Sequence, residues 1–423
     1  MLTKTNDLAS RLSLIIFGNG LLRIASGASG VLVGLYLANL ANRGSRVNVA
    51  LVGTLGAVAF GAELVGSIPM GLASDALAPR GLMTAGAFLG AAATQLFGMS
   101  SRAGIFFLSR TVEGFGVAAE TPSLLSYLTD VTEGDHSLRA RVMSYFELSL
   151  LAGLALGGLT GAQLWHFLST RAFSAVAVIY ILSACLLFLG AAGSRGYGSA
   201  QALSGFYTAL KEPSLQRLAP IWLCVNTIVG LWLGPTLPFL LTHRGGGNQF
   251  LDGIYLNQPE RVGWLLLGYS LIFGIGVAAW SIVLPRMTEE RALRIALVAM
   301  VGVCLGLLLL NHSGAESPGV RWTIGILTAF AIMVESGFTP AALSLLARAI
   351  GAQAGRGAAM GVYSVLLSIG AIVGSLLAAA LGQSFAVDGL IYSTFAMAVI
   401  GLFFVRWLKV TNSKERLNVE TAV

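Results

Sequence analysis

The sequence predicts an all-α membrane protein in which twelve transmembrane helices form two pseudo-symmetric six-helix bundles. The 423 residues are 56% hydrophobic and only 11% charged, whereas a soluble globular chain has about 25% charged residues. Apolar runs of the roughly 20 residues that span a bilayer recur along the chain, separated by short polar loops. The two halves of the chain are also similar in sequence, and this similarity divides the runs into two sets of six.

Each predicted span is an apolar run between charged or loop-forming residues. In chain order the spans are 12–40, 48–73, 81–100, 103–129, 141–165, 171–193, 218–242, 262–285, 292–311, 321–350, 357–382 and 388–408. The longest loop between spans separates the first six from the last six. The sequence therefore predicts an N-terminal bundle (1–193), a linker (194–217), a C-terminal bundle (218–410) and a tail (411–423).

The lysines and arginines predict the orientation of the chain. If the N-terminus lies inside, most of the 26 cations fall in inside loops, as the positive-inside rule requires. Both termini, the linker and the tail are therefore predicted to be cytoplasmic, in a multi-pass protein of the bacterial cytoplasmic (inner) membrane. The net charge of +7 is explained by this bias, and no basic cluster with interleaved aromatic residues suggests nucleic acid.

The reactive side chains do not form a catalytic pattern. All three cysteines lie in apolar runs, which is typical of buried small side chains rather than disulfides. The four histidines lack metal-ligand spacing. HExxH, GxSxG and P-loop patterns are absent. We therefore expect no metal, no cofactor and no enzymatic activity.

Two segments of the first half recur in the second half at nearly the same offset. "ETPSLLSYLTD" (120–130) resembles "FTPAALSLLAR" (338–348), and "RARVMSYFELSLLAGLALG" (139–157) resembles "RGAAMGVYSVLLSIGAIVG" (356–374). Shared hydrophobicity alone does not produce two matches at one offset. A parallel duplication of a six-helix unit is a recurrent architecture of transporters.

The loop after the second span carries a family pattern. With the twelve spans and the repeat, the chain resembles the major facilitator superfamily, whose marker here is G-x-x-x-D-x-x-G-R-[KR]. "GLASDALAPRGL" supplies Gly71, Asp75 and Arg80 but lacks the Gly before the Arg and the dibasic pair. Glu147 lies six residues past Arg141, near the cytoplasmic end of its span, and is expected to latch to Arg80 or Arg141 rather than to contact substrate. The resemblance implies a gating loop, and a short charged loop between two helix ends can latch neighbouring helix termini. The alternative is an ordinary tight turn.

The fourth and fifth spans carry further family patterns. R-x-x-x-G-x-G-x-A is matched by Arg110, Gly114, Gly116 and Ala118, and in the family this Arg is associated with proton coupling. The antiporter motif of the fifth helix, G-x-x-x-G-P-x-x-G-G, is matched only in part by "GLALGGLTGA". The motif pattern is nevertheless closest to the drug/proton antiporter branch.

The fifth span also contains a stripe of small residues. Gly153, Gly157 and Gly161 recur every fourth residue, which favours close packing of helices. Two interpretations remain open: the stripe serves packing alone, or the packed surfaces also move during transport.

Charged residues inside spans are expensive and need a partner or a wet cavity. The set that the sequence places there as a charge network is Arg23, Glu63, Arg110, Glu113, Glu120 and Glu335. Helical geometry puts those of the fourth span on one stripe, continued by Tyr127, and such a stripe should face a cavity. Arg23 and Glu113 both lie near mid-bilayer, so we expect a contact between them. The carboxylates either carry protons or only balance the arginines.

The seventh span, "WLCVNTIVGLWLGPTLPF", offers a pocket of mixed character. Asn226 and Trp232, with Tyr127 of the fourth span, are predicted to line a broad and mostly apolar cavity.

We therefore expect a secondary active transporter working by alternating access, with proton-coupled export of a small amphipathic or drug-like compound. The alternatives are an uptake symporter or facilitator for a small organic anion, and a non-transporting receptor or assembly partner. The expected partners are the small-molecule substrate, protons and the lipid bilayer, for a monomer.

Overall fold

A computed structural model describes residues 2–76, 79–132, 136–191, 213–245, 247–350 and 356–420. The described residues are helical with short connections and contain no strand. Their α-helices are α1 (Leu2–Asn42), α2 (Val49–Ala76), α3 (Pro79–Gly98), α4 (Ala103–Val131), α5 (His136–Leu168), α6 (Ala172–Gly190), α7 (Pro213–Trp232), α8 (Thr236–Thr242), α9 (Arg261–Val283), α10 (Glu289–Asn311), α11 (Pro318–Glu335), α12 (Phe338–Ile350) and α13 (Arg356–Glu420).

The predicted fold class is confirmed. Within the described residues, 8 stretches are long and apolar enough to cross a membrane. Two of them contain a turn between two helices of membrane length: Arg141–Gly190 turns at Ser169 (φ +53°), and Val365–Arg406 turns at Ala386 (φ +47°). Together with the more polar α3 and α4, these stretches account for the twelve predicted spans.

One compact unit comprises Met1–Ala200, Leu233–Arg244 and Gly253–Ser270. In it α1 packs against α5 and α6, α2 packs against α4, and α3 packs against α4 and α6. Glycines allow these helices to approach closely. A Cβ atom added to Gly114 of α4 would lie 2.2 Å from the carbonyl oxygen of Ala59 in α2.

The predicted small-residue stripe of α5 lies against α1. A Cβ atom on Gly153 would lie 2.2 Å from Cβ of Arg23. One on Gly157 would lie 2.9 Å from Cα of Gly27, and one on Gly161 would lie 2.6 Å from the carbonyl oxygen of Ala28. Each glycine therefore occupies a place where a larger residue would force the two helices apart.

The short helix α8 belongs to the same unit and packs against α1 and α2. A Cβ atom on Gly34 of α1 would lie 2.4 Å from the carbonyl oxygen of Pro235. At the end of α1, Asn42 donates from Nδ2 to the carbonyl oxygen of Thr242 (2.9 Å) and accepts at Oδ1 from the amide of Arg244 (2.7 Å). These bonds hold the end of α8 against the end of α1.

The other compact unit comprises Gln201–Trp232, Gly245–Asp252 and Leu271–Val423. Here α7 packs against α13, again through glycine. A Cβ atom on Gly374 would lie 2.0 Å from the carbonyl oxygen of Thr227, and one on Gly230 would lie 2.4 Å from that of Ala371. The repeat predicted from the sequence places Gly374 where Gly157 stands in the first half.

Two predicted spans are interrupted. The span 218–242 divides where α7 ends at Trp232 and α8 begins at Thr236, beside Pro235. The span 321–350 divides between Glu335 and Phe338. The indole of Trp280 occupies the space beside Gly337, where a Cβ atom would lie 2.1 Å from its Cε2. A helix that continued with a larger residue at this position would collide with the indole.

The predicted division into bundles, linker and tail stays a prediction. Most of the linker, residues 194–212, lies outside the described residues. The tail from residue 411 to Glu420 continues α13 as helix.

Candidate functional site

The centre of the candidate site is an ion pair on α4. Because α4 is helical without interruption from Ala103 to Val131, Arg110 and Glu113 lie one turn apart on one face. Arg110 donates from Nη1 to Oε2 of Glu113 in a short, charge-assisted hydrogen bond. Both residues are buried, with 7% and 6% of their surface exposed. The Arg110 Nε atom is buried without a hydrogen-bond partner.

Glu120 lies two turns further along the same face and is 3% exposed. It packs against α3, where a Cβ atom on Gly86 would lie 2.5 Å from Cγ of Glu120. Glycine at position 86 therefore creates the space for the Glu120 side chain. The charges of Arg23, Glu113 and Glu63 all act on this carboxyl group, so the four groups belong to one electrostatic cluster.

Arg23 of α1 joins the cluster at the Glu120 end. It donates from Nη2 to Oγ1 of Thr121 (3.0 Å), and its charge acts on both Glu63 and Glu120. Its Nε atom is buried without a hydrogen-bond partner. The structure differs here from the expected Arg23–Glu113 contact, since Glu113 pairs with Arg110 of its own helix.

The cluster of Arg23, Glu63, Arg110, Glu113 and Glu120, termed here the charge cluster, contains two cations and three carboxyl groups. With every group ionised it has an excess of negative charge. An uncompensated charge inside a membrane protein is costly. The arrangement is therefore suited to take up one proton, or the cationic group of a bound compound.

Tyr180 of α6 lies within the electrostatic range of this cluster, and the sequence did not indicate it. It is 1% exposed, and its ring lies against Gly90 of α3. The charges of Glu113 and Glu120 act on it. A single tyrosine in an apolar span gives no signal by itself.

The predicted cavity residues have different surroundings. Tyr127 is buried and donates to the carbonyl oxygen of Gly190 (3.1 Å), which ties α4 to α6. Trp232 donates from Nε1 to Oγ1 of Thr394 (2.8 Å). Asn226 is buried against Gly370, and its Nδ2 atom has no hydrogen-bond partner. Of these three side chains, Asn226 alone keeps an unused donor.

Glu335, the acidic residue predicted for the second half, ends α11 and is buried. The part of the chain that the structure describes gives it no ion-pair partner. It belongs to the other compact unit, apart from the charge cluster.

The first part of the predicted gating loop, through Ala76, continues α2 as helix, and Arg80 lies at the start of α3. The guanidinium of Arg80 lies over the ring of Phe188, 3.5 Å from the ring centroid, which is a cation–π contact. The side chains of Asp75 and Glu147 and the surroundings of Gly71 lie outside the described part of the chain.

A second polar cluster, also unpredicted, lies at the turn after Ala386. Asp388 is buried and accepts from Nδ2 of Asn311 (2.8 Å) and from Nε2 of Gln249 (3.1 Å). Nε2 of His312 lies 2.9 Å from the same carboxylate. These bonds join the loop before α9, the end of α10 and the turn within α13. Across the described ranges, no three His, Cys, Asp or Glu side chains are grouped as metal ligands.

Membrane-length helices that carry this charge cluster define a multi-pass membrane protein of the transporter class. Comparison with known proteins gives the family: a profile described as "Major Facilitator Superfamily" matches residues 15–315 and 224–422. The chain belongs to the Major Facilitator Superfamily.

Curated relatives include the lysophospholipid transporter LplT of Yersinia pestis (strain Pestoides F) and that of Yersinia pseudotuberculosis serotype O:3 (strain YPIII). Each is 26% identical over 330 residues, covering 74% of this chain and 76% of the relative. These relatives are transporters, and their names do not place them in the drug/proton antiporter branch.

Two solved structures share the fold. A POT family transporter in complex with a thioalcohol-conjugated peptide superposes with a TM-score of 0.73 at 12% identity, over 95% of this chain and 96% of that chain. A bacterial homologue of the human lysosomal transporter Spinster, inward-facing and unoccupied, superposes with a TM-score of 0.68 at 15% identity, over 94% and 96%.

Proposed function

We propose that the protein is a secondary active transporter that exports a small amphipathic compound in exchange for protons. The observation that carries this proposal is the charge cluster, in which three carboxyl groups share two arginines inside the membrane-spanning helices. A buried site of this composition is stable with one added positive charge. A proton and a cationic substrate group compete for that place, and such competition is the basis of exchange.

The individual residues have distinct roles in this proposal. Glu120 is the first candidate for the proton carrier, because no ion pair fixes it among the described residues. Arg110 supplies the counter-charge of Glu113 through their hydrogen bond. In alternating access, exposure of the Glu120 carboxyl group to water on the other side of the membrane releases its proton.

The compound class is inferred from chemistry as well as from the relatives. The relatives are named as transporters of lysophospholipids, which are single-chain amphipathic molecules with an anionic phosphate group. The unpartnered Nε atoms of Arg23 and Arg110 are donors that a phosphate can use. We therefore favour, over a neutral drug, a single-chain amphipathic compound whose head group carries both charges. Its cationic group would compete with the proton, and its phosphate would bind the arginines.

Transport by purified protein in liposomes tests this proposal. The vesicles contain a pH-sensitive dye, and a fluorescent lysophospholipid and a cationic amphipathic dye are supplied as substrates. In the wild type, we expect substrate movement to acidify or alkalise the lumen. In Glu120→Gln, substrate movement should be uncoupled from proton movement, so that the luminal pH does not change with it. Arg110→Ala should abolish transport.

The matched control is Glu335→Gln, which removes a buried carboxylate of the other compact unit. Wild-type substrate movement that a proton gradient does not affect would refute exchange. Normal coupling in both Glu113→Gln and Glu120→Gln would exclude these two carboxylates as carriers.

A second candidate function is uptake of a small organic anion, by symport or facilitation. It is favoured by the same unpartnered arginine nitrogens, which would hold a carboxylate or phosphate. Inward movement of the anion down its own gradient, unchanged by Glu120→Gln, would support uptake over exchange.

A further inference from the structure

We propose that Asn226 of α7 is a substrate-binding residue: its side-chain amide donates to an uncharged oxygen of the transported compound, for which the ester carbonyl of a single-chain lipid is the candidate. The inference rests on the proposed transport of a single-chain amphipathic compound. It deepens that proposal, because the charge cluster accounts only for the charged groups of the compound.

The position of Asn226 in the second half matches that of Arg23 in the first half. A Cβ atom added to Gly153 of α5 would overlap Cβ of Arg23 in α1. The sequence repeat matches Gly153 with Gly370 of α13, and a Cβ atom added to Gly370 would lie 2.5 Å from Cβ of Asn226 in α7. In each half, one glycine therefore makes room for one side chain of the facing helix, and that side chain is Arg23 or Asn226.

The next turn of the same helices shows the same match. A Cβ atom added to Gly157 would lie 2.9 Å from the carbonyl oxygen of Ile24. One added to its repeat partner, Gly374, would overlap the carbonyl oxygen of Thr227. In each half this contact comes from the residue that directly follows the side chain seated on the first glycine. Two close approaches one turn apart fix both the rotation of a helix and its axial register, so the two seated side chains are counterparts in the fold.

Both counterpart side chains keep a hydrogen-bond donor that the described part of the chain does not use. Nε of Arg23 and Nδ2 of Asn226 are buried, and neither has a partner among the described residues. Asn226 as a whole is 5% exposed. The next residue of α7 differs, because Oγ1 of Thr227 donates to the carbonyl oxygen of Leu223 (2.9 Å). A buried amide donor without a partner lowers stability, so packing alone favours an apolar side chain where Asn226 stands.

The surroundings of Asn226 determine which acceptor it suits. From Leu218 to Trp232, α7 contains no charged residue, and the two stretches of α13 that pack on it, 365–384 and 389–405, contain none either. An anionic group held between these stretches would have no cation beside it, which is costly inside a membrane. The amide itself is neutral, whereas phosphate is bound best by arginine. Asn226 is therefore suited to an uncharged acceptor.

A single-chain lipid offers such an acceptor. Its ester carbonyl joins the acyl chain to the head group, and the carbonyl oxygen carries no charge. Apolar residues of α7 on either side of Asn226 in the sequence are buried, among them Ile221, Trp222 and Ile228. One amide donor in apolar surroundings matches the junction between an acyl chain and its head group.

A structural role is the competing explanation, in which Asn226 only fills the space beside Gly370. The two roles differ in their dependence on the ligand. Replacement of a structural asparagine weakens the binding of every compound alike. Replacement of a substrate-binding asparagine weakens the binding only of compounds that carry the acceptor.

The experiment compares two ligands that differ in one group. An octanoyl lysophospholipid with a zwitterionic head group carries the ester carbonyl, and its octyl ether analogue has the same head group and chain length without the carbonyl. Binding of each, below its critical micelle concentration, is measured by calorimetry on the full-length protein in nanodiscs, with empty nanodiscs as background. The wild type should bind the ester roughly 3–10-fold more tightly, the gain from one neutral hydrogen bond. In Asn226→Leu, which keeps a side chain of similar volume, the two ligands should bind equally.

Two control variants separate this contact from general damage. Thr227→Val changes the next residue, whose hydroxyl bonds within α7, and should keep the preference for the ester. Arg23→Gln should weaken both ligands to the same extent, because each carries phosphate, and should also keep the preference. If Asn226→Leu folds poorly, Asn226→Ala removes the amide without adding bulk beside Gly370 and should give the same loss of preference.

The outcomes separate this inference from the proposed function. If the lipids bind but the ester preference persists in Asn226→Leu and Asn226→Ala, or is missing in the wild type, the role of Asn226 is overturned, even if transport is proton-coupled. A preference that depends on Asn226, in a protein without proton coupling, overturns the proposed exchange and leaves Asn226 as a substrate-binding residue. Binding of neither lipid overturns the compound class, and with it this assignment.

Discussion

The contact between α5 and α1 gives a prediction whose size follows from the structure. A Cβ atom on Gly157 would lie 2.9 Å from both Cα of Gly27 and the carbonyl oxygen of Ile24. Nonbonded carbon atoms prefer about 3.5–4.0 Å. Gly157→Ala therefore requires the two backbones to separate by roughly 0.6–1 Å. Overpacking of this kind typically costs about 1–3 kcal/mol of unfolding free energy.

Alanine also has a favourable effect that must be removed from the comparison. In a helix interior it is preferred to glycine by about 1 kcal/mol. Gly20→Ala on α1 supplies the matched control, because a Cβ atom there has nothing within 4 Å. The contact cost is thus the difference between the two variants, about 1–3 kcal/mol, with Gly157→Ala below Gly20→Ala.

The assay is reversible unfolding in mixed detergent, with the denaturing detergent as titrant, on wild type and both variants. A Gly157→Ala variant as stable as Gly20→Ala would refute the close contact. Transport by the same samples decides the question that the sequence left open. Wild-type transport at reduced stability indicates packing alone, whereas loss of transport beyond the loss of folded protein indicates that the stripe moves.

Three further predictions concern single carboxyl groups. Burial raises the pKa of Asp252, in the loop before α9, to about 6, above the ordinary value of 3.8. The folded protein should therefore lose stability as pH rises from about 4 to about 6. In Asp252→Asn the thermal midpoint should no longer change with pH over that range, and a wild-type midpoint that is already independent of pH would contradict the prediction. Glu113→Gln leaves Arg110 without its charged partner and should lower the unfolding free energy by about 3–5 kcal/mol in the same titration. Glu335→Gln should leave the unfolding free energy unchanged or raise it. Equal losses in the two variants would show that the ion pair with Arg110 does not set Glu113 apart from Glu335. Asp388→Ala removes the carboxylate that accepts from Asn311 and Gln249. Because each amide keeps a second acceptor, the variant should lose only the net contribution of two hydrogen bonds, about 1–3 kcal/mol in total. An unfolding free energy equal to that of the wild type would show that the turn does not depend on this carboxylate.

The fold could be predicted because the bilayer restricts the choices. A span must be helical and about 20 residues long, so runs of that length between polar loops predicted the twelve spans. The interruptions at Trp232–Thr236 and before Phe338 were missed because they depend on neighbours. Gly337 ends α11 beside an indole contributed by Trp280, and no local pattern in the sequence records that contact.

The candidate site was predictable within one helix and not between helices. Helical periodicity placed Arg110, Glu113 and Glu120 on one stripe, and the structure pairs the first two directly. Contacts across helices depend on rotation and axial register, which the sequence does not specify. Arg23 therefore lies beside Thr121 and not Glu113, and Tyr180 was not foreseen at all.

The internal repeat bears on why the charges of α4 are present. The match of "ETP" at 120–122 with "FTP" at 338–340 places Phe338 opposite Glu120, and the same offset places Ala331 opposite Glu113 and Thr328 opposite Arg110. In the second half, α11 and α12 together correspond to α4. They carry uncharged residues at all three positions. Packing of a six-helix unit does not require an ion pair there. Because buried charges lower stability unless they are fully compensated, their presence in the first half alone favours a role in transport over a role in folding.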